Sequence, residues 1–292
     1  MPNNAMQIVE VAARDGLQNE AQAITLSAAQ KVAFLEKLAA SGLSRIEAGS
    51  FVHPKAVPAM ANSDEVAALL APIEARYPSV VFSYLAPNER GLARAHAHGV
   101  KEVAIFLALS EGFSHANIRA GVQDSFDAIT TTIHEAIEMG MQVRGYISNV
   151  FGYTDYAFTP DDVAKRSAEL LGKGCFEVSL GDTTALGEPE MIPPLLDALA
   201  KHGVPLEKVA MHFHDTHGRA IENVATSYAG GIRIFDAATG GLGGCPYANS
   251  PKGNLATETL LNWCDAEGVA HPVTNRAALE EAAAEMRGLL GK

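Results

Sequence analysis

The sequence predicts an α/β fold, a (β/α)8 barrel of the TIM type with an additional C-terminal helix. Eight short β-rich runs alternate with longer Ala- and Leu-rich stretches along all 292 residues. Glycines stand just past many of the helix-like stretches, at Gly42, Gly99, Gly140, Gly174, Gly203 and Gly231, where a helix C-terminal cap is expected. Ionisable residues gather at the ends of several strand-like runs, the end at which such barrels carry their chemistry.

In chain order the strands are expected near 7–11 (QIVEV), 45–49 (RIEAG), 80–85 (VVFSYL) and 102–108 (EVAIFLA). The remaining four fall near 142–148 (QVRGYIS), 176–180 (FEVSL), 208–214 (KVAMHFH) and 232–238 (IRIFDAA). Between them, stretches such as LSAAQKVAFLEKLAASG repeat apolar residues at three- and four-residue spacing, the helical period. A last helix near 276–290 is expected to pack outside the barrel. A doubly wound open sheet would place a Gly-rich phosphate loop after its first strand, whereas ARDGLQNE follows here. With no linker, low-complexity tract or charge block, residues 1–292 read as one catalytic domain.

Hydrophobic residues make up 48% of the chain and charged residues 19%, the balance of a soluble protein with a large core. The formal net charge of -12 argues against a nucleic-acid partner. Any anionic ligand must be met by local cations, for which Lys55 and Arg119 are candidates. No secretory pattern opens the chain, and no apolar run reaches the roughly 20 residues that span a bilayer, so no membrane partner is expected. Three cysteines are too few for a disulfide framework, which points to a reduced, cytoplasmic protein.

The strand-end residues carry the chemistry. His212 and His214 stand two apart, and alternate strand residues share a face, so both imidazoles can meet one ion. Arg14 and Asp15 end the first strand, Glu47 lies on the second, Arg144, Tyr146 and Ser148 on the fifth, and Asp182 ends the sixth. Asp15 and Asp182 each have a second reading as caps of the following helix. Arg14 could pair with a surface carboxylate, and Cys245 could be a small buried apolar residue, although its loop holds four nearby glycines. Cys175 and Cys264 read as structural, and His217 falls off the strand face. Imidazoles, a carboxylate and an amide oxygen without thiolate suit octahedral Mg²⁺ or Mn²⁺, with tetrahedral Zn²⁺ as the alternative.

VEVAARDGLQNE, HFHDTHG and GGLGGCPYANSPKGNLATE resemble the 3-hydroxy-3-methylglutaryl-CoA lyases, within the TIM-barrel metal-dependent lyases and Claisen-type synthases. The likeness extends over IEAGSFV, SEGFSHANI, VRGYIS and SLGDT, nearly the whole chain. It implies a divalent cation on Asp15, His212, His214 and Asn254, catalytic roles for Arg14 and Cys245, and support from Glu47, Tyr146, Asp182 and Arg144. Substrate contacts are implied for Arg14, Arg144 and Ser110. The implied reaction cleaves a 3-hydroxyacyl-CoA, with acyl-CoA as the partner molecule and a homo-oligomer, guessed to be a dimer, as the expected assembly. Arg14 would face the thioester oxygen, Cys245 would protonate the enolate carbon, and Asp15 or a ligand histidine would serve as base. The chain departs from the family pattern at FGYTDYAF (151–158) and at Pro251 and Lys252, segments that border the implied acyl pocket. A lyase of the same chemistry acting on citramalyl-CoA or a longer 3-substituted glutaryl-CoA is therefore the alternative. A condensing synthase and a turnover-deficient binding module fit the cysteine loop and the intact Arg14, Asp15 and Cys245 less well.

Overall fold

All eight expected runs form strands in the computed structural model, which describes residues 4–112, 121–152, 158–243 and 253–292. They are β1 (Gln7–Glu10), β2 (Arg45–Ser50), β3 (Val81–Leu85) and β4 (Glu102–Ala108), then β5 (Gln142–Ser148), β6 (Glu177–Asp182), β7 (Val209–Phe213) and β8 (Ile234–Ala237). Each pairs in parallel with its sequence neighbour, and β8 pairs with β1 to close the barrel. Helices α1 (Ala28–Ala40), α2 (Ser63–Leu69), α3 (Ala71–Arg76) and α4 (Glu89–Ala97) follow the first three strands. The remaining strands are followed by α5 (Val122–Glu138), α6 (Pro160–Gly172), α7 (Ile192–Lys201) and α8 (Ala220–Ala229), with α9 (Thr257–Glu267) and the C-terminal α10 (Arg276–Leu289) at the end. The six expected capping glycines all adopt positive φ. At Gly42 the need is also steric, since a Cβ there would lie 2.7 Å from the Pro272 carbonyl oxygen.

Two strand ends shape the site, and the second differs from expectation. β6 ends at Asp182, as expected, which makes that residue part of the sheet. β7 stops at Phe213, and His214 instead forms an isolated antiparallel bridge with Asn254.

The alternation within β5 shows how the core divides. Val143 and Ile147 join the main apolar core between sheet and helices. Arg144 and Tyr146 point the other way, into a polar barrel interior. Arg144 donates to Glu177 at 2.6 Å and to both oxygens of Asp236 at 2.7 and 3.1 Å, and Arg45 pairs with Glu177 at 2.9 Å. Aliphatic layers usually fill such a barrel. Here a chain of ion pairs occupies much of that space, and Arg144, Glu177 and Asp236 are all buried.

Candidate metal centre and active site

The first site segment is a wide turn. After β1, residues Ala12–Gly16 form a single π-helical turn, closed by the Gly16 amide donating to the Val11 carbonyl at 3.1 Å. Such turns carry an extra residue and recur at functional sites. This one delivers Arg14 and Asp15 to the barrel mouth. Two donations from Arg14 fix its guanidinium: Nε to Glu47 Oε2 at 2.7 Å and Nη1 to Asp15 Oδ1 at 2.5 Å. Its guanidinium carbon lies 5.1 Å from the centre of the Tyr146 ring. Burial opposes the charge, but Glu47 and Asp15 outweigh it and hold the Arg14 pKa above its ordinary range.

Opposite stand His212 of β7 and His214 just beyond it. His212 Nε2 and His214 Nε2 face each other at 3.1 Å, and His212 Nε2 lies 3.9 Å from Asp15 Oδ2. Asp15, His212 and His214 each offer a ligand atom, all within 4.8 Å of one another. The bridge to His214 brings Asn254 beside them. Its Nδ2 donates to Asp15 Oδ2 at 2.9 Å and to the Leu242 carbonyl at 3.1 Å. Its Oδ1 is buried and has no partner among the described residues. Buried polar atoms are normally satisfied, so an orphaned amide oxygen beside two inward-facing imidazoles and a carboxylate fits a cation site.

Protonation fits at His214 and Asp15. Burial, then the neighbouring His212, push the His214 pKa down to about 4, leaving its imidazole neutral near pH 7. His212 donates through Nδ1 to Asp236 Oδ2 at 3.2 Å, which leaves the Nε2 lone pair facing the cluster. Burial works against the charged form of His212, but that hydrogen bond and Asp236's charge leave its pKa raised. Asp15 is depressed: burial acts upward, and Arg14 and the two histidines prevail.

Asp236 was not singled out by sequence reasoning. It accepts from Arg144, Ser179 and His212, so it joins the interior ion pairs to the histidine cluster. A carboxylate inside the four-residue buried strand IFDA was the available signal, because a buried charge demands partners.

The remaining expected residues fall as follows. Glu47 is buried, with Oε2 on Arg14 and Oε1 unpartnered among the described residues. The Tyr146 hydroxyl accepts from Arg144 at 2.5 Å. Asp182 accepts from the backbone N–H groups of Leu186 and Gly187, and burial raises its pKa to about 7. Its cap-like bonds therefore hold a loop, and α7 begins only at Ile192. Arg144 makes four donations, to Glu177, to Tyr146 and to both oxygens of Asp236, and so braces the site from below. Ser110 is buried at the end of β4, beside a cavity of about 420 Å³ lined also by Glu111, Lys165 and Arg166. His217 and Lys55 are exposed and outside the ligand cluster. Cys175 and Cys264 are buried, with burial pushing both thiols up to about 12. Cys245, Arg119, Pro251, Lys252 and most of the 151–158 segment lie outside the described residues.

The HMGL-like family profile matches residues 5–284. A Pseudomonas aeruginosa protein named 3-hydroxy-3-isohexenylglutaryl-CoA/hydroxymethylglutaryl-CoA lyase is 43% identical over 288 residues, covering 98% of this chain and 93% of its own. The hydroxymethylglutaryl-CoA lyase of Pseudomonas mevalonii is 44% identical over 258 residues, covering 88% and 83%. The crystal structure of a hydroxymethylglutaryl-CoA lyase from P. aeruginosa superposes with a TM-score of 0.93 at 42% identity, covering 99% of this chain and 94% of that one. Profile, relatives and barrel agree, and the chain belongs to the HMGL-like family.

Proposed function

We propose that this chain is a divalent-metal-dependent carbon–carbon lyase, a single catalytic domain that cleaves 3-hydroxy-3-methylglutaryl-CoA to acetyl-CoA and acetoacetate. The observation that carries the reading is the convergence of Asp15, His212, His214 and the unpartnered Asn254 Oδ1 beside a buried Arg14, in a chain more than 40% identical to named lyases. A cation on these donors, Mg²⁺ or Mn²⁺ by the chemistry of the set, supplies positive charge that lowers the pKa of a bound hydroxyl.

The chain's own residues supply the rest. Arg14, clamped by Glu47 and Asp15, presents a fixed positive charge to the thioester oxygen as the enolate develops. Removing one such preorganised donor commonly costs roughly 100- to 1,000-fold in rate. Tyr146 closes the floor beneath the guanidinium. Asp182, with a pKa of about 7, is the implied supporting residue best matched to proton exchange near neutrality, and the low pKa of Asp15 makes it the poorer base. Cys245 is the proposed donor of the proton to the enolate carbon, a role consistent with thiol acidity.

A second reading, cleavage of a longer 3-alkyl homologue, is favoured by an apolar cavity of about 310 Å³. Val150, Phe151, Phe158, Met191 and Leu195 help line it. Phe151 and Asp182 both crowd the Cβ position of Gly187, which sets this cavity beside the Asp182 loop.

Product analysis by mass spectrometry, with Mg²⁺ and with a chelator, tests both. Release of acetyl-CoA and acetoacetate that the chelator abolishes is expected. Absence of cleavage in a protein that still binds the cation, with 3-hydroxy-3-isohexenylglutaryl-CoA cleaved instead, would replace the first reading by the second.

A further inference from the structure

Glu10 ends β1, is fully buried, and belongs to none of the groups above. One carboxylate there accepts four hydrogen bonds from three separate segments. Oε1 takes the backbone N–H groups of Ala12 at 3.0 Å and Thr239 at 2.8 Å. Oε2 takes the hydroxyls of Thr239 at 2.6 Å and Thr257 at 2.7 Å.

Each segment leads to a site residue. Ala12 opens the π turn that holds Arg14 and Asp15. Thr239 follows β8, which holds Asp236. Thr257 opens α9 three residues after Asn254, on a stretch pinned further by Leu255 donating to Phe213 and Thr257 donating to Ala238. An isolated carboxylate is costly to bury, and apolar packing could close a barrel seam without it. What four convergent donors add is a fixed distance between three chain ends.

We propose that Glu10 is a positioning residue that sets Asn254 and Asp15 at a common ligand distance by gathering the π turn, the β8 exit and the α9 start onto one carboxylate. The proposal rests on the metal-dependent reading above.

The test measures Mn²⁺ affinity by electron paramagnetic resonance of the free ion, together with steady-state kinetics, on the full chain. Glu10→Gln keeps the shape but loses one acceptor oxygen, and Thr257→Val removes a single donor with little threat to folding. Glu102→Gln is the control, a buried carboxylate at the start of β4, at the opposite end of the barrel. Outer partners of metal ligands typically cost 10- to 100-fold when removed. Glu10→Gln and Thr257→Val are expected to weaken Mn²⁺ binding roughly tenfold and lower kcat, with KM for the thioester little changed. Glu102→Gln is expected to lower Tm and leave Mn²⁺ affinity alone. Wild-type Mn²⁺ affinity in both Glu10→Gln and Thr257→Val, whatever their Tm, overturns the proposal and reduces Glu10 to a packing residue. A wild-type chain that takes up no Mn²⁺ sinks the metal reading itself, and this proposal with it.

Discussion

At Gly243 a single hydrogen separates a formed site from a broken one. Its φ is +99°, and a Cβ would stand 2.7 Å from Asn254 Nδ2 and 3.1 Å from Gly16 Cα. Gly243→Ala therefore combines a strained backbone with a collision at a proposed ligand. We expect Mn²⁺ affinity to fall at least about tenfold, by analogy with losses at other residues that orient ligands, while the far-ultraviolet circular dichroism is kept. Unchanged calorimetric affinity would refute the steric argument. Residue-scale legibility followed chemistry that repeats locally. His212 and His214 announced themselves by period-two spacing, and Arg14, Asp15 and Glu47 by charge at strand ends. Asn254 had no such mark. It meets Asp15 across 239 residues of chain, and only the family resemblance selected it beforehand. Glu10 and Asp236 were missed because each is a lone carboxylate in a short apolar strand, and its partners come from distant segments.

Among the elements, β5, β6 and β8 act together through one side chain. Arg144 of β5 neutralises Glu177 of β6 and Asp236 of β8, and Asp236 in turn holds His212 of β7. Arg144→Met keeps the length but leaves two buried carboxylates without their main counter-charge. Breaking a buried pair in this way costs about 3–5 kcal/mol, and the loss is measurable by chemical denaturation. A loss under about 1 kcal/mol would mean that water or Arg45 replaces the guanidinium. At this scale the sequence was most readable. The strands and the capping glycines follow from local propensity and turn chemistry. The early end of β7 before His214 arises from tertiary pairing, the bridge to Asn254, which no local pattern encodes.

For the molecule as a whole, burial makes stability depend on pH through Asp182. Its pKa rises from 3.8 to about 7, so the folded chain keeps a proton that the unfolded chain releases. The stabilisation it brings is complete below about 3.8 and is lost as pH climbs to about 7. Compared with Asp182→Asn in chelator, the wild type should lose relative stability between pH 4 and 7, with the difference level above that range. Thermal unfolding across that range reads the trend, and a difference that stays constant with pH would reject it. The closing pair β1 and β8 has one more consequence, in time. At about 5–20 residues per second, Asn254 leaves the ribosome roughly 10–50 s after Asp15. Until then the nascent chain holds only part of the proposed ligand set. If the proposed ion binds there, it is no early folding aid but a late seal, and its occupancy would report that translation has passed the last strand and the ring has shut.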